Sequence, residues 1–272
     1  MTILVTGARG GVSRALVGQL LDAGQEVRAG GRAPDAVDLP DVVELDLARA
    51  ETFDKALAGV TAVFLYAELG GLGAFLDAAT KAGVEHVVLL SARGADPAAP
   101  DAIMRVHGEA EAAVHASGIA WTFLRPGGFA TNRLWWAAAV REQGPVREPF
   151  PDSESALIHE ADLAAVARHA LTEPGHDGAA YTITGPESLT ARRHAELIGE
   201  VIGRTVTVER QDLDEYRESL RHLPAELLET RIRRLAALVG KPDPTTTTVE
   251  EVTGTPARTF ARWAADHAAD FR

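Results

Sequence analysis

The stretch that most constrains this chain is its first 32 residues, which read strand, glycine turn, helix, strand. Residues 2–6, Thr-Ile-Leu-Val-Thr, form a short apolar run rich in β-branched side chains, as a strand buried on both faces requires. Gly7-Ala8-Arg9-Gly10-Gly11-Val12-Ser13-Arg14 follows. Ala15, Leu16, Val17, Leu20 and Leu21 then recur at helical spacing, and Gly24 closes the helix. Residues 26–32 make the second strand.

A glycine turn between a strand and a helix lets the backbone turn sharply and lets a pyrophosphate come close. The helix N-terminus beyond it offers unpaired N–H groups and the positive end of a dipole. The common fingerprint is G-x-G-x-x-G. Here the pattern is Gly7-x-x-Gly10-x-x-Ser13, and Ser13 is small enough for close helix–strand packing. Gly7, Arg9, Gly10, Gly11 and Val12 are therefore expected to hold a dinucleotide. NAD-binding domains usually place Asp or Glu about 20 residues on, for the ribose 2′-hydroxyl. The matching strand end here is Gly30-Gly31-Arg32, without an acid. Arg32 can pair with a 2′-phosphate, the glycines leave room for it, and Arg9 is a second cation in reach. NADP(H) is the expected cofactor; the alternative for Arg32 is a solvated surface arginine.

A chain of 272 residues, 46% of them hydrophobic, can bury a large core. The formal net charge of -12 disfavours a nucleic-acid partner, because phosphate binding needs a basic face. Without cysteines there is no disulfide framework, no thiolate nucleophile and no cysteine-based metal site, and no metal is expected. No apolar run reaches membrane length, and the start lacks the pattern of a signal peptide. A cytoplasmic protein without membrane contact is expected.

Strand and helix patterns then alternate. Residues 42–47 read as a third strand, with Asp46 and Leu47 placed against an adenine, or with Asp46 as a helix cap. Residues 62–66 are a fourth strand, followed by Ala67 and Glu68 flanking the ribose or nicotinamide side. Residues 86–91 are a fifth strand ending in Ser91. A helix over 101–117 carries His107, Glu109 and Glu111. Residues 120–125 are a sixth strand, left through Pro126-Gly127-Gly128-Phe129. This alternation predicts an α/β fold with a parallel sheet covered on both faces. Beyond residue 130 the pattern loosens. Residues 143–155 contain three prolines and read as a loop or flap. Asp162 is expected to cap a helix running to Leu171, residues 180–184 to form a strand, and residues 256–271 a closing helix. We expect one unit over 1–272, with roughly 1–130 as cofactor core. Residues 131–272 would be mostly an interwoven lobe without a core of its own.

Several ordered segments resemble the NmrA-like branch of the atypical short-chain dehydrogenase/reductases. They are Ile3-Leu4-Val5-Thr6-Gly7-Ala8-x-Gly10, Val27-Arg28-Ala29-x-x-Arg32, His107-x-x-x-Glu111, and Ser117-Gly118-Ile119-Ala120-Trp121-Thr122-x-Leu124-Arg125-Pro126. Asp162-Leu163-Ala164-Ala165-Val166-Ala167, Tyr181-Thr182-Ile183-Thr184-Gly185-Pro186-Glu187 and Pro256-Ala257-Arg258-Thr259-Phe260 complete the set. The resemblance spans nearly the whole chain. It implies an extended, doubly wound Rossmann fold with a small C-terminal substrate lobe. It also implies NADPH/NADP+ as cofactor, and either reduction of quinones, dyes, imines or ketones or redox sensing without catalysis.

Most short-chain reductases use Tyr-x-x-x-Lys as the acid, and none of Tyr66, Tyr181 and Tyr216 has Lys four residues on. By the resemblance, Ser91 sits where the broader family keeps a substrate-binding hydroxyl, and His107 where many relatives have a lysine. Either could serve catalysis: His107 by touching the nicotinamide ribose or giving a proton. The alternatives are a surface helix histidine and a strand-end hydroxyl bonded to backbone. Glu111 reads as a structural partner. Asn132 either faces the pocket or starts a helix. Phe129, Trp135, Trp136 and Phe150 would wall a flat substrate, or form lobe core. The expected function is NADPH-dependent reduction of a bulky apolar carbonyl, an aromatic ketone or quinone-type small molecule, with protonation assisted by substrate or water. The alternative is a non-catalytic NADP(H) sensor bound to a protein partner. A monomer or a dimer is expected.

Overall fold

The computed structural model describes residues 2–36 and 38–272; Met1, which opens the expected N-terminal stretch, lies outside them. In chain order the chain forms β1 (Thr2–Val5), α1 (Gly11–Asp22), β2 (Glu26–Gly31), β3 (Val42–Glu44), α2 (Phe53–Leu57), β4 (Val60–Tyr66), α3 (Leu72–Ala82), β5 (His86–Leu90), α4 (Ala102–Ala116) and β6 (Ala120–Pro126). A 3₁₀ segment over Ala130–Trp136 leads to α5 (Ala137–Arg141), β7 (Val146–Glu148), β8 (Glu154–Ser155), α6 (Glu160–Thr172), β9 (Ala179–Ile183) and β10 (Leu189–Thr190). The chain ends with α7 (Ala191–Ile202), β11 (Val208–Arg210), α8 (Leu213–Ser219), α9 (Ala225–Ala237), α10 (Thr248–Thr253) and α11 (Phe260–Asp266).

The chain divides into two compact units. The first comprises Met1–Pro126, Glu160–Ile183 and Thr248–Gly254. Its sheet has the order β3-β2-β1-β4-β5-β6-β9, with every neighbouring pair parallel. This is the parallel α/β sheet expected from the alternation, in the doubly wound Rossmann order that the resemblance implies. The order reverses between β1 and β4, where ligands bind such sheets. A core of Leu4, Val63, Leu65, Phe75, Val87 and Leu89, with Phe53 edge-on to Phe75, binds α2, α3 and α4 to the sheet. Elsewhere α6 packs along α1, and Gln19 Nε2 donates to the Ala161 carbonyl at 2.9 Å.

The second unit comprises Gly127–His159, Thr184–Thr247 and Thr255–Arg272. It holds two small sheets: β7 parallel to β11, and β8 antiparallel to β10. It has its own buried core, around Trp136, Val146, Ile198, Phe260, Trp263 and Phe271, which corrects the expectation of a lobe without one. These residues lie far apart in sequence, so no local pattern announces their cluster.

Four local expectations need correction. The third strand stops at Glu44, because Asp46 closes a turn: its Oδ1 accepts from the Ala48 N–H at 3.0 Å and its carbonyl from the Arg49 N–H at 2.9 Å. Asp162 does not cap α6 but lies inside its first turn, 2% exposed. Residues 143–155 are not a free flap, since they contribute β7 and β8 and bury Val146, Glu148 and Ser153. The closing helix is short, Phe260–Asp266, continued by a 3₁₀ turn over Ala268–Phe271.

Candidate functional site

At the carboxyl ends of β1, β2 and β4 a cleft of about 220 Å³ opens. Gly7, Gly31, Arg32, Asp46, Leu47 and Glu68 line it, together with Thr6, Gly30, Leu45, Leu65 and Tyr66. Gly7 has φ +66°, a backbone conformation that a side chain disfavours. Gly10 caps α1 without any side-chain hydrogen bond, so no capping group competes for the first amides of the helix. Gly11 is exposed at that N-terminus, beside buried Val12, and Arg9 is exposed within the turn. This arrangement suits a pyrophosphate, with backbone N–H groups and the dipole of a twelve-residue helix aimed at it.

Arg32 is exposed on the cleft wall and forms no ion pair with any described residue. Its guanidinium is thus open to a 2′-phosphate. Of the two adjoining glycines only Gly31 leaves room. A Cβ on Gly31 would meet nothing nearer than Ala8 Cβ at 3.6 Å, whereas one on Gly30 would meet Leu45 Cδ2 at 2.9 Å. The expectation of space at both positions is corrected to Gly31 alone. Asp46 lines the cleft while its carboxylate holds the turn beyond β3. Glu68 opens on the same cleft as Arg32.

Tyr66 escaped the sequence reading. Its ring lies against the glycine turn: a Cβ on Gly7 would stand 2.7 Å from its Cε2, and one on Gly10 would stand 2.8 Å from its hydroxyl. Ser13, fully buried, donates to the Thr6 carbonyl at 2.8 Å, and the Thr6 hydroxyl accepts from the Tyr66 N–H at 3.2 Å. Burial pushes the Tyr66 phenol up, against an opposing hydrogen bond with Ser13. The small residue at the third fingerprint position thus ties helix, strand and tyrosine together. Spacing alone gave no signal, because Tyr66 lies some fifty residues from that turn.

Ser91 is 3% exposed, and its hydroxyl donates to Glu111 Oε1 at 2.6 Å. Arg125 donates to both oxygens of Glu111, from Nε at 2.9 Å and Nη2 at 2.5 Å. Glu111 therefore ties α4 to the carboxyl ends of β5 and β6. The Ser91 proton is committed to that carboxylate, leaving its oxygen as an acceptor. His107 is half-buried on α4, one turn before Glu111 and on the same helix face. All three tyrosines have their pKa raised, chiefly by burial, the reverse of what a Tyr-Lys acid needs. Pro126 is buried at the end of β6.

In the second unit, Phe129 bridges to Ile158, and Asn132 sits inside the 3₁₀ segment, whose cap is Phe129; the helix-start reading of Asn132 does not hold. Trp136 is 6% exposed and its indole N–H donates to Glu148 at 2.9 Å. It is a core residue, which corrects its expected place in a substrate wall. Phe150 packs on Tyr216, Leu228 and Ile232. Trp135, by contrast, is 62% exposed. No helix among the described residues is long and apolar enough to cross a membrane.

Comparison with known proteins agrees with this geometry. A family model described as NAD(P)H-binding matches residues 7–174. The chain is 39% identical, over 99% of both chains, to a (4-alkanoyl-5-oxo-2,5-dihydrofuran-3-yl)methyl phosphate reductase of Streptomyces griseus. It is 38% identical to an NAD(P)H azoreductase of Xenophilus azovorans, over 83% of this chain and 82% of that one. Among solved structures, the NADPH-dependent quinone oxidoreductase QOR2 of Escherichia coli, complexed with NADPH, superposes with a TM-score of 0.79. It is 25% identical and covers 97% of this chain and 99% of its own.

Proposed function

Since the chain belongs to the NAD(P)H-binding reductases of the NmrA-like, atypical short-chain branch, with NADPH/NADP+ as cofactor, we propose that it reduces a flat conjugated carbonyl compound, an aromatic ketone or quinone-type metabolite. Trp135 carries the substrate half of this reading: a large aromatic face left 62% exposed can stack on a flat ring. The named relatives act on an unsaturated furanone ester, azo compounds and quinones, all conjugated acceptors. A second reading keeps the chemistry and adds a phosphate monoester to the substrate, as in the Streptomyces relative's name. Two arginines of the second unit favour it.

NADPH, when bound, would supply the hydride for a carbonyl carbon, and the carbonyl oxygen would need a proton. Gly7, Gly10 and the α1 N-terminus would hold the pyrophosphate, and Arg32 the 2′-phosphate. Ser91, its proton on Glu111, can only accept a hydrogen bond. The proton then comes from His107, from water or from a hydroxyl of the substrate itself. Positioning alone can lower the barrier by about 7–11 kcal/mol. A general acid adds about 10²–10⁴-fold. We expect Ser91→Ala and His107→Ala each to keep measurable turnover, losing at most about 10²-fold. If His107→Ala alone destroys turnover while NADPH binds normally, His107 is the acid.

The test is NADPH oxidation, followed optically, with a panel of quinones, polycyclic ketones and their phosphate esters. Turnover of none of them, with NADPH bound, would favour a redox sensor instead. Arg32→Ala separates the cofactors. A charge-assisted bond to phosphate is worth about 1.5–3 kcal/mol, so NADPH affinity should fall roughly tenfold or more while NADH affinity holds. Equal losses for both would place the 2′-phosphate elsewhere.

A further inference from the structure

The second unit contains a polar cluster that the cofactor chemistry does not use. Arg133, 9% exposed, donates from Nη2 to His194 Nδ1 at 3.2 Å, and its Nη1 stands 3.6 Å from Glu148 Oε1. Its guanidinium lies 4.5 Å from the Trp136 ring, and its buried Nε has no hydrogen-bond partner among the described residues. Arg231 stands close enough to Arg133 to repel it. Its Nε donates to the Tyr216 hydroxyl at 2.6 Å and its guanidinium lies 4.7 Å from the exposed Trp135 ring.

The charges in this cluster do not balance. Burial holds His194 well below its ordinary value, and so neutral. It also pushes the Tyr216 phenol up, so that too stays neutral. Glu148 is the one carboxylate, and it is shared with Arg133 and the Trp136 indole. Two guanidinium charges against one carboxylate leave one positive charge. Three exposed arginines of this unit each pair with a carboxylate: Arg147 with Glu215, Arg192 with Asp152, Arg217 with Glu229. Arg231 has no carboxylate within 4.0 Å among the described residues, in a chain of net charge -12.

We propose that Arg231, Tyr216 and Trp135 form a subsite for a phosphate monoester on the ring of the substrate. This rests on the second reading above. With Nε on Tyr216, the two terminal nitrogens of Arg231 remain as a fork, the geometry that matches phosphate bidentately. The Tyr216 hydroxyl, on a residue only 6% exposed, accepts from Arg231 and fixes that fork in place. A phosphate monoester carries about -1.5 to -2 charges at neutral pH, enough to offset the surplus. Trp135 supplies an aromatic face for the ring that bears it. Arg133, itself 9% exposed and paired with Glu148, does not touch the ligand and leaves the surplus charge on Arg231.

The experiment is calorimetric titration of phenyl phosphate into the full chain saturated with NADP+, so that the cofactor's own phosphate positions are filled. One molecule should bind per chain, with inorganic phosphate and benzoate binding more weakly. Arg231→Ala should weaken phenyl phosphate roughly tenfold or more, and Arg231→Lys less. Arg233→Ala, an exposed neighbour on α9, should change nothing. Thermal unfolding of each variant confirms that it is folded. No binding with NADP+ present, equal affinity in Arg231→Ala, or an equal loss in Arg233→Ala would overturn the subsite. Since the titration does not depend on turnover, binding without reduction of any phosphorylated carbonyl would sink the reductase reading and leave the subsite standing. In turnover, Arg231→Ala should raise KM for a phosphate ester about tenfold with a smaller change in kcat.

Discussion

Gly10→Val is expected to abolish NADPH binding and leave a folded chain. Two effects meet at this position. The valine branch would occupy the space where the backbone must approach a pyrophosphate. Its Cβ would also stand 2.8 Å from the Tyr66 hydroxyl and 3.3 Å from the Gly7 carbonyl, so the tyrosine must leave the turn. Overpacking of this kind costs about 1–3 kcal/mol, a fraction of the stability of an ordinary domain. Fluorescence titration with NADPH reads the binding, and a thermal melt reads the fold. The double variant with Tyr66→Ala separates the two effects, since it relieves the clash without restoring phosphate space. It should not recover binding. Full recovery would mean that the turn serves Tyr66 rather than the phosphates, and unaltered affinity in Gly10→Val alone would remove the turn from the cofactor site.

Glu111→Ala is expected to be the most destabilising of these single changes. It removes the acceptor for Ser91 and for two nitrogens of Arg125 at once. What remains is a guanidinium with only 31% of its side chain exposed and no counter-charge. Breaking a fully buried pair costs about 3–5 kcal/mol, and partial contact of Arg125 with water brings this to about 2–3 kcal/mol. For a chain of this size, that lowers Tm by roughly 5–10 °C. Replacing both partners with leucine should cost less than Glu111→Ala, because no charge is left unpaired. If the double replacement costs more, the network stabilises through its own hydrogen bonds and not by cancelling charge.

The sheet and the glycine turn were legible because they are local. β-Branched runs, helical spacing after Gly11 and a glycine at each helix end are written within a dozen residues of one another. Arg32 was legible because its position relative to the turn is fixed by one strand–helix–strand unit. Tyr66 was not, because it meets Gly7 and Gly10 only through the β1–β4 pairing. Residues 143–155 misled for a related reason. Three prolines signal a loop, but β7 and β8 find their partners in β11 and β10, whose identity no neighbouring residue records. Glu111 was read as structural from its place on α4, and the structure supplies its partners from β6 and the end of β5. Trp135 and Trp136 are adjacent and alike in sequence; only packing separates the exposed ring from the buried one.

The first unit closes late in the chain. Its last sheet strand, β9, ends at Ile183, and α6, which lies along α1, begins at Glu160. A nascent chain that has just emitted β6 therefore carries a bare parallel edge and an uncovered apolar stripe on α1. At about 5–20 residues per second, ribosomal synthesis of the next fifty-odd residues leaves both exposed for several seconds. An N-terminal fragment ending near residue 130 would keep both exposed, and its bare strand edge would favour aggregation.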